Sequence, residues 1–246
     1  MRLKQVAKSV IYPLYERRVY NQLDFSQTPH HIGVILDGNR RWSRENPSEG
    51  GDSSTARGHK AGANKIVDLL DWSEEARVKV ITLWLLSNAN LSRSAEELKP
   101  LLEIIGETVS NLAAKRRWEI RPVGSMEILP VELRQLLERA AQQTKGIPGV
   151  VVNVAIGYGG RNEIVDAVKS LIISGTKSGK SPEELAASVD VEEISKHLYT
   201  AGLPDPDLVI RTSGEQRLGG FLLWQSAHSE FYFCEAYWPD FRKLDF

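Results

Sequence analysis

The residues best suited to chemistry lie in the stretch VILDGNRRWS, which spans residues 34–43. An apolar run ends there at Asp37, and Arg40 and Arg41 follow closely. Forked guanidiniums bind phosphate oxygens, and a carboxylate beside them can hold Mg²⁺ while the arginines hold the phosphate. The structural alternative for Asp37 is that it caps a helix or closes a turn with the glycine and asparagine that follow it.

Similar side chains follow three other apolar runs of the chain. The run 79–86 leads into SNAN with Arg93 beyond it, 150–156 leads into GYGGR, and 207–211 ends in an arginine followed by TSGEQR. Ligands of parallel sheets bind beyond the carboxyl ends of the strands. Arginines, amides and glycines at four such ends predict a phosphate site, because glycines let backbone N–H groups approach the oxygens.

The elements that must position these residues are short β-branched runs alternating with longer segments of helical period. This pattern predicts an α/β fold with a mostly parallel sheet of about six strands, flanked by helices on both faces. We expect residues 1–246 to form one domain. The predicted strands span 31–36, 79–86, 119–124, 150–156, 207–211 and 221–225, and the predicted helices span 59–76, 95–115, 130–144, 160–174 and 183–198.

The segment 43–58, SRENPSEGGDSSTARG, is rich in proline, glycine and serine and is predicted to be a mobile loop. It follows the first polar cluster directly. Two interpretations stay open: the loop closes over a ligand, or it is a plain connection.

Composition narrows the classes of protein. The formal net charge of −1 gives no indication of nucleic-acid binding, so any anion site has to be built locally. Cys234 is the only cysteine, which excludes an internal disulfide and a cysteine-rich zinc site and suits a reducing cytoplasm. The sequence contains no run near the ~18 apolar residues of a membrane span.

Residues 1–28 are predicted to form an N-terminal helical extension. Its first part, MRLKQVAKSVIYPLYERR, is basic and amphipathic and has no signal-peptide core. Either the helix packs on the domain, or its basic and apolar faces touch anionic lipid. We therefore expect a cytoplasmic protein, with peripheral membrane contact as the alternative.

Three single residues have two interpretations each. His59 opens a helix and is either structural or a contact for an anion at the helix N-terminus. Glu230 lies between apolar residues and needs a cation, which is either magnesium or an arginine. Trp42 either packs beneath the neighbouring loop or touches a ligand.

Taken together, HIGVILDGNRRWS, GHKAG, LLSNANLSR, GYGGRNEIVDAV and DPDLVIRTSGEQRLGGFLLWQSAHSEFYF resemble the cis-prenyltransferase family of the undecaprenyl diphosphate synthase type. The resemblance extends from His31 to the C-terminus. Within the family, the sequence most resembles actinobacterial short-chain Z-isoprenyl diphosphate synthases, which make Z,E-farnesyl diphosphate. It implies condensation of isopentenyl diphosphate with an allylic diphosphate, expected to be geranyl diphosphate. It also implies Mg²⁺ as cofactor, a homodimer, and an apolar tunnel between sheet and helices.

The resemblance assigns roles by position. It implies that Asp37 binds magnesium and assists departure of diphosphate, that Asn90 acts at the proton-removal step, and that Glu230 is a second magnesium carboxylate, reaching across a dimer. The residues implied to cradle the allylic diphosphate are Gly38, Asn39, Arg40, Arg41 and His59. The other residues expected to contact substrate are Trp42, Ser87, Asn88, Ala89, Arg93, Arg211, Ser213, Glu215, Arg217, Leu218 and Gly219. Of these, Arg211, Arg217 and Gly219 are implied to hold isopentenyl diphosphate. Arg93 and Glu97 are implied to order the site.

Two leucines bear on product length. Leu85 stands where long-chain members of the family tend to have a small residue on the tunnel wall, and Leu91 replaces a tryptophan common in the long-chain type. A bulky Leu85 would stop elongation early, which favours a short product. The alternatives are ordinary packing of both leucines and a long-chain decaprenyl or undecaprenyl synthase that supplies cell-envelope carriers.

The sequence also departs from the family pattern. Thr55 stands where an arginine is frequent, with Arg57 close by; Ala89 replaces a glutamate, and Gly219 replaces a serine. Family members usually continue beyond FRKLDF with a basic tail. These departures leave a third alternative, a non-catalytic partner subunit of an active synthase.

Overall fold

A six-stranded sheet forms the centre of the molecule. The computed structural model describes residues 12–246. The order of the strands in the sheet is β3-β4-β2-β1-β5-β6, and every neighbouring pair is parallel. The strands are β1 (His31–Ile35), β2 (Val80–Ser87), β3 (Glu119–Val123), β4 (Val151–Tyr158), β5 (Leu208–Arg211) and β6 (Glu230–Phe233).

Helices cover both faces of the sheet, as parallel sheets require. They are α1 (12–20), α2 (Asn39–Glu45), α3 (Thr55–Glu75), α4 (Ala95–Lys115), α5 (Val131–Thr144), α6 (Gly160–Lys177), α7 (Pro182–Ser188) and α8 (Val191–Ser195). The predicted single-domain α/β fold with a parallel sheet is therefore confirmed. The helices within residues 12–246 are all too short or too polar to cross a membrane.

Two apolar cores lie on opposite faces of the sheet. Along β4, Val152 and Val154 belong to the larger core, shared with α3, α4 and α5, whereas Ala155 belongs to the smaller one. This alternation follows from the period of two in a β-strand. The smaller core contains Phe221 and Leu222, which are fully buried.

The predicted strand at 221–225 is wrong, because these residues form a turn and a short 3₁₀ helix, and the sixth strand is β6. Gly219 and Gly220 have positive φ angles, and Leu222 has φ 45°, so the backbone cannot remain extended there. Burial in the smaller core explains the apolar run. A short apolar run alone does not distinguish a strand from another buried segment.

Two helix predictions also need correction. The segment 183–198 is not one helix, because α7 ends at Ser188 and Asp190 caps the start of α8 by accepting a hydrogen bond from the Glu193 N–H at 2.7 Å. Helix α3 begins at Thr55 rather than at residue 59, with Ser54 as its N-cap. The connection predicted as 43–58 is thus reduced to 46–54, and its mobility and closure stay predictions.

Candidate active site

A cleft of about 640 Å³ opens at the carboxyl ends of β1, β2 and β5. Apolar side chains that include Leu85, Ile66 and Ile105 wall one end of it. The charged residues at the other end are Asp37, Arg40, Arg41, Arg44, Arg93, Arg211, Glu215 and Arg217. Because arginines outnumber carboxylates, this end attracts anions.

Asp37 stands at the end of β1 and faces Arg211 at the end of β5. Its Oδ2 accepts a hydrogen bond from Arg211 Nη2 at 2.7 Å, and its Oδ1 accepts one from the Gly38 N–H at 2.7 Å. Burial alone would raise the pKa of Asp37, but the hydrogen bond and charge of Arg211, helped by Gly38 and Arg41, outweigh it and lower that pKa. The carboxylate is therefore ionised at neutral pH. Asp37 does not cap a helix, since Gly38 is the N-cap of α2.

A second charged group joins α2 to the turn after β5. Arg41 Nη2 donates to Ser213 Oγ at 2.6 Å, and Arg41 Nη1 lies 3.4 Å from Glu215 Oε1. Oε2 of Glu215 lies 2.7 Å from Arg217 Nη1. Left-handed backbone at Ser213 and Gly214, with φ 82° and 74°, ends β5 sharply and brings this turn to the cavity.

A third group surrounds His59 at the start of α3. Glu97 Oε1 lies 3.2 Å from Arg40 Nη1 and 3.3 Å from Arg93 Nη1. Burial, then the charges of Arg93 and Arg40, lower the pKa of His59 to about 4, so its ring is neutral at pH 7. His59 Nε2 is buried without a hydrogen-bond partner among the described residues, and Arg93 Nη1 is buried with only its ion pair to Glu97. Unpaired buried polar atoms in a cavity mark places that fit the polar atoms of a ligand.

Asn90 is held in place by the backbone that follows β2. The Ser87 N–H donates to Asn90 Oδ1 at 3.1 Å, and the Asn90 N–H donates to Ser87 Oγ at 3.2 Å. Both residues line the cavity. Because Oδ1 is already used, the amide NH₂ is the part of this side chain left to contact a ligand. Asn88 and Ala89, also predicted to contact substrate, do not line the cavity.

Several predicted site residues lie outside the cavity wall. Trp42 Nε1 donates to Asp240 Oδ1 at 2.8 Å, and Arg57 stacks 4.8 Å above the centre of its ring, which favours the packing interpretation. Leu218 packs against the smaller core. Gly38, Asn39 and Gly219 do line the cavity. Ser213 reaches it only through its hydrogen bond to Arg41. Leu91 packs against the larger core.

Glu230 is exposed at the start of β6, opposite Leu208 at the start of β5. Asp37 follows the other end of the sheet. The structure therefore does not bring the two predicted magnesium carboxylates together within one chain, and the role of Glu230 stays a prediction.

The cavity wall also contains residues that were not predicted from the sequence, among them Arg44, Gly62 and Trp84. Arg44 follows Arg40 by one helical turn, so the helical period carried a signal for it. A Cβ at Gly62 would lie 2.2 Å from Asn39 Oδ1, so glycine lets α2 and α3 approach each other. The glycines of RGHKAG were the signal for this close approach.

A buried hydrogen-bond network beneath the 219–225 turn, which follows Arg217 in the chain, was also not predicted from the sequence. The Leu222 N–H donates to the Tyr158 hydroxyl at 3.2 Å, and that hydroxyl donates to Glu163 Oε2 at 2.5 Å. Oε1 of Glu163 accepts from Gln225 Nε2 at 3.0 Å. Burial raises the pKa of Glu163 although these bonds oppose it. Because a backbone N–H can only donate, the Tyr158 hydroxyl accepts from Leu222 and donates to Glu163, which ties the 219–225 turn to β4 and α6.

The donors present fit a magnesium ion that is shared with a substrate. Within residues 12–246, no three His, Cys, Asp or Glu side chains lie close enough together to hold a metal by themselves. Mg²⁺ is commonly bound by one or two carboxylates together with substrate phosphates and water, so a single ionised carboxylate among several arginines suits it. Asp37 is that carboxylate.

Residues 35–246 match a family model described as putative undecaprenyl diphosphate synthase. The chain therefore belongs to this family of prenyltransferases, and the predicted resemblance and enzyme class are confirmed.

Close relatives agree with this assignment. A protein named (2Z,6E)-farnesyl diphosphate synthase from Thermobifida fusca is 56% identical over 236 residues, which cover 96% of this chain and 91% of that protein. A protein named isoprenyl transferase 1 from Streptomyces avermitilis is 53% identical over 246 residues, covering 100% and 94%. The structure of lavandulyl diphosphate synthase from Lavandula x intermedia in complex with dimethylallyl diphosphate superposes with a TM-score of 0.79 at 31% identity, covering 89% of this chain and 92% of that one.

Proposed function

We propose that this protein is a short-chain cis-prenyltransferase that condenses isopentenyl diphosphate with geranyl diphosphate to give Z,E-farnesyl diphosphate. The observation that carries this proposal is one cavity with an arginine-rich end around Asp37 and an apolar wall beyond it. Such a cavity suits two diphosphates and a hydrocarbon chain. The name of the relative from Thermobifida fusca supports this product, and the name of the relative from Streptomyces avermitilis supports isoprenyl transfer.

The two diphosphates are assigned to two arginine groups. Arg40 and Arg41, with His59 and the backbone after Asp37, would hold the allylic diphosphate. Arg211 and Arg217 would hold isopentenyl diphosphate. The carboxylates of Glu97 and Glu215 now pair with these arginines, and phosphate oxygens would compete with them for the same guanidiniums.

Asp37 would hold magnesium together with phosphate oxygens. The metal would supply positive charge to the departing diphosphate. Arg41, 3.7 Å from Asp37 Oδ2, would neutralise charge that develops on the same leaving group.

In the reaction, the allylic carbon–oxygen bond breaks and diphosphate leaves with its electron pair. The double bond of isopentenyl diphosphate attacks the allylic carbon and forms the new carbon–carbon bond. A proton then leaves the isopentenyl unit to give a cis double bond. Asn90, held by Ser87, would orient the isopentenyl unit for that loss.

The chain is proposed to act as a homodimer. Val165, Val168 and Ile172 follow helical spacing along α6 and are exposed, and β6 is an edge strand with exposed Phe231 and Tyr232. Exposed apolar surface of this kind commonly marks an interface. Because Glu230 lies away from Asp37 within one chain, its predicted magnesium role depends on the dimer.

The function is tested by incubating the protein with Mg²⁺, labelled isopentenyl diphosphate and either geranyl or farnesyl diphosphate, followed by chromatography of the products. A single fifteen-carbon product from geranyl diphosphate is expected. A ladder of long products would replace the proposal with the long-chain alternative. Absence of product with both primers would favour the partner subunit.

A further inference from the structure

Helix α1 turns large apolar side chains away from the body of the protein. Leu14 is 67% exposed and Tyr15 is 53% exposed, and Pro13 between Tyr12 and Leu14 is exposed as well. Tyr12, Glu16 and Val19 are half-buried and lie on the side that faces the body. A helix that merely covered a domain would show the opposite arrangement, with its apolar stripe inward.

The orientation of α1 is fixed by contacts with the C-terminal residues. Lys243 Nζ lies 3.5 Å from Glu16 Oε1 and 2.5 Å from Glu75 Oε2, at the end of α3. The guanidinium of Arg242 stacks 5.0 Å from the centre of the Tyr12 ring. The outward direction of Leu14 is therefore set by attachment to the body and not by a free helix.

Upstream of the described residues, the sequence predicts an apolar stripe at helical spacing from Leu14. Leu3, Val6, Ala7 and Val10 precede Leu14 by eleven, eight, seven and four residues, which is helical spacing on one face. Basic residues flank this stripe in the sequence, and they are Arg2, Lys4, Lys8, Arg17 and Arg18. A basic, amphipathic segment with an apolar face is typical of a helix that lies in a membrane interface.

We propose that this outward face, defined by Leu14, Tyr15, Arg17 and Arg18, docks the protein on an anionic lipid bilayer. Leu14 and Tyr15 insert among the headgroups and acyl chains, and the arginines pair with lipid phosphates.

Charge favours lipid over a second copy of the chain as the occupant. The only acid in 1–20 is Glu16, and it is turned towards Lys243. Two copies of this face would therefore bring like charges together, which costs free energy of association. An anionic bilayer neutralises the same charges.

The proposed docking face lies away from the diphosphate site. Glu75, bridged through Lys243 to α1, ends α3, whereas His59 stands in its first turns. The two residues are sixteen positions apart, which corresponds to about 24 Å of helix. Docking would thus leave the arginine-rich mouth of the cavity open to water, from which charged substrates arrive.

The test is sedimentation of the full chain with vesicles of phosphatidylcholine alone and with vesicles that also contain phosphatidylglycerol. We expect binding to the anionic vesicles that weakens with added salt. Combined L14D and Y15D changes should abolish it, and combined R17Q and R18Q changes should weaken it about thirtyfold, because each basic residue near an anionic surface contributes about 1 kcal/mol. The matched control is V191D, since Val191 is also 67% exposed but lies on α8.

Activity in lipid-free buffer checks that each variant is folded, because α1 lines no part of the cavity. Failure of the wild type to sediment with anionic vesicles would overturn the proposal. Equal loss of binding in V191D would also overturn it. If the wild type sediments without vesicles and the variant with both aspartates does not, the face binds a second copy of the chain. That result would overturn the proposal as well.

Discussion

Nη2 of Arg211 lies 2.7 Å from Oδ2 of Asp37, so the last residue of β5 neutralises the carboxylate that follows β1. Arg211 is only 7% exposed, and its Nε is buried without a partner in the part of the chain described. The pair keeps Asp37 ionised and leaves donors of Arg211 for a ligand. Strand pairing between β1 and β5 therefore creates the charge balance of the site.

Asp37→Asn removes the negative charge with little change of shape. We expect turnover to fall at least a hundredfold, because groups aimed at developing charge contribute about that much when one is lost. The measurement is product formation at saturating Mg²⁺ and substrates. Asp68→Asn, on the exposed face of α3 and outside the cavity, is the control. Near-normal turnover in Asp37→Asn would contradict the central role of the carboxylate.

Tyr158→Phe deletes the hydroxyl that holds the Leu222 N–H. We expect KM for isopentenyl diphosphate to rise about tenfold while KM for the allylic diphosphate stays unchanged. An unpaired buried donor costs about 1–3 kcal/mol, and the loosened turn begins two residues after Arg217.

The control for this change is Tyr199→Phe. Tyr199 packs edge-on against Tyr158, but its hydroxyl contacts Asp166 and Ser125 instead of the turn. It should lower stability without separating the two KM values. Equal KM changes for both substrates in Tyr158→Phe would indicate a general loss of structure.

Acid should destabilise the protein through His59. Its folded pKa of about 4 lies below the ordinary value of 6.5, so the unfolded chain binds a proton that the folded chain refuses. The stability that His59 contributes is therefore present above pH 6.5 and is lost as pH falls from there towards 4. When the pH is lowered from 7.5 to 5.5, the free energy of unfolding, measured with urea, should fall by about 1 kcal/mol more in the wild type than in His59→Gln. Parallel pH profiles of the two proteins would refute this.

The sequence predicted those parts of the site that depend on strand ends. Asp37 directly follows an apolar run, Arg211 ends a second run, and Asn90 lies four residues beyond a third. The parallel sheet brings such ends together whatever the loops do. The same logic could not locate Glu230, which begins a strand instead of ending one. The apolar run at 221–225 was predicted as the sixth strand in place of β6. A turn buried in the smaller core and a buried strand produce the same sequence pattern.

Side-chain networks that span distant segments were beyond sequence reasoning. Glu163 reads as an ordinary polar residue in the first turn of a helix, yet it is fully buried and accepts hydrogen bonds from Tyr158 and Gln225. Only the packing of α6 against the 219–225 turn creates that environment. Arg44 and Gly62, by contrast, carried a periodic or compositional signal.

Leu85→Ala should lengthen the product. A β-bulge lies at this position, because Trp84 pairs with Ala155 and Leu86 with Ile156, which leaves Leu85 unpaired. The bulge turns Leu85 as well as Leu86 towards the larger core, and Leu85 lines the cavity wall. Truncation to alanine opens space along the path proposed for the hydrocarbon chain.

We expect the Leu85→Ala enzyme to convert part of its product into chains with one or more additional five-carbon units, read by chromatography against standards. Leu91→Ala is the discriminating control. Leu91 packs against the core without lining the cavity, so its truncation should lower stability and leave product length unchanged. A longer product from Leu91→Ala but not from Leu85→Ala would move the limit on chain length away from the bulge and towards the turn after β2.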